Sequence, residues 1–254
     1  MSGEVEHLEA DVPTVYGIGL GPGDPGLVTL KALETLRACR RIFVPDGGGP
    51  GGSRAYRILE GLDPSLLPRT RKLAIPMGKT TPETWRRRAQ EVISELRPGM
   101  PCAIAVEGDP LLYGSFIKLK RHILEERRHL KVEVISGIPS FVAAAARLGL
   151  PLASGRETVS VLAGPLSYRQ LEEHFMRHET VVLLKASSCR RELEALIKHH
   201  PGEVNLWLVE DCGISTERVD FIQEGEIPCD RGYFTLAMIK RAVDRGDERG
   251  GDEG

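Results

Sequence analysis

The sequence is short of most features that would fix a function class on their own. Its 254 residues contain no Cys-x-x-Cys pair, and its five cysteines (Cys39, Cys102, Cys189, Cys212 and Cys229) are scattered and odd in number. That disfavours a disulfide framework and a structural zinc site, and it leads us to expect a reducing, cytoplasmic setting. There is no basic excess either. With 34 Lys and Arg against 36 Asp and Glu the formal net charge is −2, so the electrostatic footprint of a nucleic-acid binder is missing. No apolar run reaches membrane-spanning length, and the acidic opening MSGEVEHLEADVP reads as neither a signal peptide nor an anchor. What is left, 41% hydrophobic and 28% charged residues, is the composition of a globule able to bury a sizeable core.

Within that globule, short apolar runs alternate with helical patterns. Val15–Leu20 reads as a buried strand, followed by Leu27, Leu30, Leu33 and Leu36 at near-helical spacing, and then by a strand at Ile42–Val44. Thr81-Pro82-Glu83 opens a helix with a cap, a first-position proline and an acid in the first turn. Trp85, Ala89, Val92, Ile93 and Leu96 fill its inner face, and Gly99 closes it. Cys102–Val106 is a strand, Leu112, Phe116, Leu119 and Ile123 mark a helix, Val132–Ile135 a strand and Phe141–Leu148 a helix. The second half repeats the alternation with strands at Val159–Ala163, Val181–Leu184 and Val204–Val209 and helices near Gln170–Arg177 and Arg191–His199. It then ends on two neighbouring strands, Val219–Gln223 and Tyr233–Lys240, with no helix between them. The expected class is α/β, with a second, mixed sheet late in the chain. The first dozen residues and the Gly-rich, charged tail are expected to be loose, and the run Asp46-Gly47-Gly48-Gly49-Pro50-Gly51-Gly52-Ser53 reads equally as a surface linker or as a lid.

The densest cluster of turn formers follows the first strand: Gly17-Ile18-Gly19-Leu20-Gly21-Pro22-Gly23-Asp24-Pro25-Gly26. Gly21, Gly23 and Gly26 fit the dinucleotide fingerprint, and Asp46 lies where its acid would stand. The chemistry argues against a pyrophosphate. Pro22 and Pro25 have no N–H to offer, Asp24 would set a negative charge beside the phosphates, and the register begins after the strand's own Gly17-x-Gly19. Such a loop suits a ligand without phosphates, for example one with a positive centre.

The segment YGIGLGPGDPGLVTLKA, Tyr16 to Ala32, resembles the first signature of the tetrapyrrole (corrin/porphyrin) methylase family. VEGDPLLYGSF, Val106 to Phe116, resembles its second, and Ser136-Gly137-Ile138-Pro139-Ser140-Phe141 with AAAARLGLPL, Ala143 to Leu152, resembles its third. Val182–Lys185 and Val209–Gly213 sit where later family segments would, so the resemblance runs from Val15 to Ile239. Tyr113–Ile117 and Ile75-Pro76-Met77 resemble the branch that methylates C20 of precorrin-2. Gly114, Ser136 and Glu107 depart from the family's usual residues, as does the Gly-rich loop after Asp46.

The resemblance implies two α/β domains with a cleft between them, at residues 12–140 and 141–243, and a homodimer; composition leads us to expect a disordered tail at 244–254. It implies S-adenosylmethionine as methyl donor, with Leu20, Pro22, Gly108, Asp109, Leu112, Tyr113, Pro139, Ser140, Lys185, Cys212 and Thr235 as contacts. The reaction implied is methyl transfer to C20 of precorrin-2 or cobalt-precorrin-2 in cobalamin biosynthesis, with C11 or C17 methylation and diphthine synthesis as rivals. Outside that class stand a nucleotide-binding oxidoreductase and a non-catalytic, cobalt-handling carrier.

Asp109 follows a strand end, where α/β folds place their sites, and is the candidate base for the proton lost from the methylated carbon; water or the substrate itself could also serve. Arg54 and Arg57, just after the Gly-rich loop, are candidates for the carboxylates of a uroporphyrin-type ring. No metal ligand set is expected. His174 and His178 have ligand spacing but read as a solvated helix face, His199-His200 as complements to a helix dipole, and Arg86-Arg87-Arg88 as a wet face.

Overall fold

The structure, a computed structural model, describes residues 13–49, 52–76 and 80–242. The expected loose lead-in, the tail 244–254, Met77 and two residues of the Gly-rich run, Pro50 and Gly51, lie outside the described residues. The chain forms two compact units that divide between Ser140 and Phe141.

The first unit is a parallel five-stranded sheet. Its strands are β1 (Thr14–Gly19), β2 (Arg41–Asp46), β3 (Thr70–Ala74), β4 (Cys102–Val106) and β5 (Lys131–Ile135), in the order β3-β2-β4-β1-β5. Parallel neighbours need crossovers, and these supply helices to both faces. On one face α1 (Leu30–Ala38) and α2 (Arg54–Leu62) bury Ala32, Leu36, Ala55, Ile58 and Leu59 against Ile18, Ala103 and Ala105. On the other, α3 (Pro82–Ser94) and α4 (Ser115–Glu126) bury Trp85, Ala89, Val92, Phe116, Leu119 and Ile123 against Val15, Cys102, Ile104 and Val106. The alternation of Cys102, Ile104 and Val106 with Ala103 and Ala105 explains why β4 reads as an unbroken apolar run: both of its faces are interior.

The helix ends follow local chemistry. Thr81 caps α3 by accepting the Thr84 N–H at 3.2 Å, with Pro82 at the first position. The other end differs from expectation. The helix stops at Ser94 with Glu95 as cap, and Gly99, at φ 66°, serves the separate turn from Arg97 to Met100. Leu27 belongs to a short 3-10 turn rather than to α1, which Thr29 caps, and Leu30 faces solvent. Leu112 likewise precedes α4, whose cap position, Gly114, offers no side-chain oxygen. Two elements gave no sequence signal. Helix α2 is short and carries Gly61 near its end. β3 is an edge strand whose only buried residue is Leu73.

The second unit opens with α5 (Ser140–Leu148) and builds a mixed sheet from β6 (Val159–Ala163), β7 (Thr180–Leu184), β8 (Val204–Glu210), β9 (Arg218–Ile222) and β10 (Thr235–Arg241), in the order β6-β7-β10-β8-β9. Only β6 and β7 are parallel. Helices α6 (Tyr168–Arg177) and α7 (Arg190–His199) cover one face through Leu171, Phe175, Leu193 and Leu196, while Ala144 and Ala145 of α5 cover Val182, Val209 and Met238 on the other. The last two strands are not sheet neighbours: β8 lies between them. The reason is burial. Thr235 to Ile239 are buried without a break, which suits an interior strand, whereas β9 exposes Val219 and Phe221 and takes the edge.

At the foot of the first sheet Glu95 gathers three arginines: Arg40 at 3.0 Å, Arg41 at 3.5 Å and Arg71 at 2.8 Å. The hydrogen bond from Arg40, helped by the other two guanidiniums, outweighs burial and holds the Glu95 carboxyl below its ordinary value. A depressed carboxylate stabilises the fold fully above the ordinary carboxylate pKa, and that contribution disappears as pH falls toward the folded-state value. Urea midpoints measured down the acid range should therefore fall less steeply for Glu95→Gln than for the wild type; parallel curves would exclude this cluster as an acid-sensitive element. A second expectation concerns Gly19. An added Cβ there would lie 2.4 Å from the Gly137 nitrogen and 2.6 Å from the Gly108 oxygen, both of them backbone atoms. Gly19→Ala should cost about 1–3 kcal/mol in urea unfolding or more, as overpacking does. Gly49→Ala, where nothing lies within 4 Å, should leave stability unchanged.

Candidate functional site

In the first sheet the chain leaves β1 toward α1 on one face and leaves β4 toward α4 on the other, although the two strands are neighbours. Their C-terminal ends therefore diverge, and this is the switch point at which open α/β sheets bind ligands. The glycines of the first two motifs meet there. Leu20 N–H donates to the Val106 carbonyl at 2.9 Å, Gly108 N–H donates to the Gly21 carbonyl at 2.7 Å, and Gly21 and Gly108 form an isolated bridge with both residues at positive φ. The loop after β5 closes on the same point, since Gly137 approaches Gly19 and the Gly108 oxygen so closely that neither glycine tolerates a Cβ. Two residues earlier on β1, the ring of Phe116 fills the space a side chain on Gly17 would need.

Asp109 ties this junction together. Its Oδ1 accepts the Leu111 N–H at 2.9 Å, and its Oδ2 accepts the Gly137 N–H at 3.1 Å. The first bond makes an Asx turn of Asp109-Pro110-Leu111. The second anchors the β5 loop that leads to Pro139 and Ser140. Both carboxylate oxygens thus hold main chain, which gives the candidate base a definite structural role. Leu20 and Pro22 are buried beside the bridge, while Tyr113, half-exposed, sits at φ 50°, a left-handed backbone that costs a non-glycine residue about 1–3 kcal/mol.

The second unit shows a parallel arrangement at one end of its own sheet. Lys185 directly follows β7 and Asp211 directly follows β8, and both are left-handed, at φ 58° and 56°. Thr235 begins the antiparallel β10 opposite Glu210, so Lys185, Cys212 and Thr235 lie along the same edge. Cys212 and Thr235 are buried, and the Lys185 ammonium lies 5.4 Å from the Tyr233 ring. Asp211 and Tyr233 were not singled out from sequence. Backbone strain has no compositional signature, and Tyr233 was absorbed into the expected strand.

Other candidates take ordinary places. Asp24 Oδ1 accepts the Gly26 N–H at 2.7 Å, and the next α-helix starts only at Leu30, so the N–H a pyrophosphate would need is already used. Asp46 caps its own turn at Gly48, 2.9 Å away. Arg54 is mostly buried, at 11% side-chain exposure, and pairs with Glu107 at 3.5 Å, whereas Arg57 one turn on is exposed. His174 Nδ1 contacts Ser160 Oγ at 2.9 Å, and His178 Nδ1 contacts Thr158 Oγ1 at 3.0 Å. Because Thr158 Oγ1 donates to Glu179 at 2.8 Å, it accepts from His178, whose Nδ1 carries the proton. His200 contacts Glu172 at 3.2 Å. Among the described residues no group of three His, Cys, Asp or Glu could hold a metal ion. In the Arg86–Arg88 run, Arg88 departs from the wet-face reading, with 13% side-chain exposure and Glu91 as partner.

Comparison with known proteins agrees with this geometry. The family profile of tetrapyrrole (corrin/porphyrin) methylases matches residues 14–228. The chain is 32% identical, over 91% of its length and 97% of the relative's, to a probable cobalt-precorrin-2 C(20)-methyltransferase of Methanocaldococcus jannaschii. It is 34% identical, over 68% of its length and 74% of the relative's, to the precorrin-2 C(20)-methyltransferase of a Sinorhizobium species. Among solved structures, uroporphyrin III C-methyltransferase from Thermus thermophilus superposes with a TM-score of 0.64 at 23% identity, over 89% of this chain and 97% of that one. With a profile spanning both units and a junction built from the residues of its signature motifs, the chain belongs to the tetrapyrrole (corrin/porphyrin) methylase family.

Proposed function

We propose that this protein transfers the methyl group of S-adenosylmethionine to C20 of precorrin-2 or cobalt-precorrin-2 in cobalamin biosynthesis. The observation that carries the reading is the similarity, at about a third identity, to two C20-methyltransferases, one of which covers nearly the whole chain. The geometry is compatible with it. The glycine-closed junction presents main-chain groups and no phosphate cradle, which suits a cationic donor better than a dinucleotide. S-adenosylmethionine, when bound, supplies an already activated sulfonium methyl.

The contacts we assign to the donor are Leu20, Pro22, Gly108, Asp109, Leu112, Tyr113, Pro139 and Ser140 in the first unit and Lys185, Cys212 and Thr235 in the second. The protein's contribution on this reading is placement. Asp109 fixes the β4 and β5 loops relative to each other, and the buried apolar side chain of Leu20 helps exclude water. Arg54 and Arg57 are assigned to substrate carboxylates, with Glu107 aiming the Arg54 guanidinium. The reading extends to a cytoplasmic homodimer. The cytoplasmic part is supported by the five cysteines, none of which forms a disulfide.

Incubation with precorrin-2 or cobalt-precorrin-2 and ¹³C-methyl donor tests the whole reading. A single labelled methyl at C20, located by mass and carbon NMR, is expected. Methylation elsewhere would reassign the position, and binding of NADH with no binding of S-adenosylhomocysteine would replace the reading with a nucleotide-dependent one.

Asp109→Asn separates two roles. If the carboxylate mainly orders the loops, donor affinity and rate should fall together by roughly ten- to a hundredfold, the loss of a hydrogen bond to a charged acceptor. If it takes the ring proton, the rate alone should fall by about 10²–10⁴-fold. The two main-chain bonds favour the first outcome.

For the arginines, Arg57→Ala should raise the tetrapyrrole KM at low salt and lose that effect as salt rises, because an exposed ion contact is screened. Arg54→Ala should do more harm, since it also removes the guanidinium that pairs with Glu107, and adding Glu107→Gln should recover part of the loss. Unchanged substrate KM in both variants at low salt would remove this helix end from the site.

A further inference from the structure

Glu210 closes β8, and it is only 8% exposed. A carboxylate there is expensive unless its oxygens are hydrogen-bonded, and here both are. Oε1 accepts the Gly232 N–H at 2.6 Å, while Oε2 faces Arg218 Nε at 2.9 Å and Arg231 Nη1 at 3.2 Å. Arg231 is itself buried, with 7% side-chain exposure, and its other arm reaches Asp220 on the edge strand. Gly232 is part of the fit: a Cβ at that position would lie 2.7 Å from Glu210 Oε1.

The carboxylate does nothing for strand pairing, since Glu210 already pairs with Thr235 and Arg218 through the main chain. What it holds is the loop that returns to β10. From Gly232 onward that loop touches Thr235, Asp211 and Lys185 of the sheet end described above. The Gly232 carbonyl accepts both the N–H and the hydroxyl of Thr235, at 3.2 and 2.7 Å. The Phe234 carbonyl accepts the N–H of left-handed Asp211 at 3.3 Å, and the ring of Tyr233 lies over Lys185. Burial pushes the Glu210 carboxyl up, but the Gly232 N–H and the two guanidiniums more than reverse this, so it stays ionised. A buried ion pair adds little net stability compared with apolar packing; what it can add is a single geometry.

We propose that Glu210 is a positioning residue of the donor site, clamping the 230–235 loop so that Thr235 and Tyr233 keep a fixed offset from Lys185 and Asp211. This rests on the assignment of Lys185, Cys212 and Thr235 to S-adenosylmethionine made above. The clamp acts through the Gly232 N–H, so displacing that contact from either side should have the same effect.

The test is equilibrium binding of S-adenosylhomocysteine, with KM and kcat for the donor, on the full chain carrying Glu210→Ala, Glu210→Gln or Gly232→Ala. Leu196→Ala, in the core between α7 and the sheet, controls for general destabilisation. Glu210→Ala and Gly232→Ala should each weaken homocysteine-adduct binding by about tenfold or more. Donor KM should rise in parallel and kcat at saturation should change far less. Glu210→Gln keeps an oxygen for Gly232 and should recover much of what Glu210→Ala loses. Wild-type affinity in a folded Gly232→Ala variant overturns the proposal, as does an equal loss in Leu196→Ala at a matched fall in Tm. If Glu210→Ala does not fold, Gly232→Ala and Glu210→Gln decide. A wild-type chain that binds no S-adenosylhomocysteine overturns the donor reading and this clamp together, whereas wild-type binding with unaffected variants overturns the clamp alone.

Discussion

Three loop ends in the first unit come into backbone contact, and they can do so only because no side chain stands between them. Gly19, Gly108 and Gly137 follow or end three different strands, and a single Cβ on Gly19 or Gly137 would overlap main-chain atoms of the others. Main-chain atoms cannot rotate away as a side chain can, so the constraint is steric and nearly absolute. The rest of the unit serves this contact. Strands β1 and β4 lie side by side, buried on both faces, and their ends diverge into helices on opposite faces. The crevice this opens is then cross-tied by the Gly21–Gly108 bridge and by the Asp109 carboxylate.

The glycine loop therefore works differently from the dinucleotide motif it partly matches. In a phosphate loop the glycines free N–H groups for the ligand. Here Gly19 frees space for two other loops and Gly17 for the ring of Phe116, and the N–H of Gly26 is spent on Asp24. Proline at two positions of the loop fits that purpose, because a loop that hands few donors to its ligand loses little by lacking them. The second unit reaches an ordered sheet end by other means. Lys185 and Asp211 hold left-handed backbones that cost about 1–3 kcal/mol each, and such strain persists only where the surroundings fix the geometry. The fixing comes from charge: Glu210, with Arg218 and Arg231, secures the loop that packs over both.

Legibility from sequence followed how local each determinant is. Strand β4 read directly because a fully apolar run bounded by turn formers needs no partner to be recognised. Helix α3 read at its start because Thr81 and Pro82 are a self-contained cap. The far end of α3 and the starts of α1 and α4 were misjudged because Leu96, Leu27 and Leu112 continue the apolar rhythm beyond the hydrogen-bonded helix. Helix α2 and strand β3 left no pattern, since one is short and the other buries only Leu73. Arg54 drew notice as a charge near a loop, but only the fold shows Glu107, from another strand end, as its partner.

By itself the sequence determined the α/β alternation, the glycine-rich strand ends and the motif set that marks the family, because these depend on residue type and short spacing. Tertiary structure alone decided that β10 enters the sheet between β7 and β8, that Asp109 spends both oxygens on main chain, and that Glu210 holds the Gly232 loop at the second sheet end. Each of these joins groups from separate strands. Whether a buried carboxylate is tolerated, or an apolar strand is interior, depends on neighbours that chain order does not reveal.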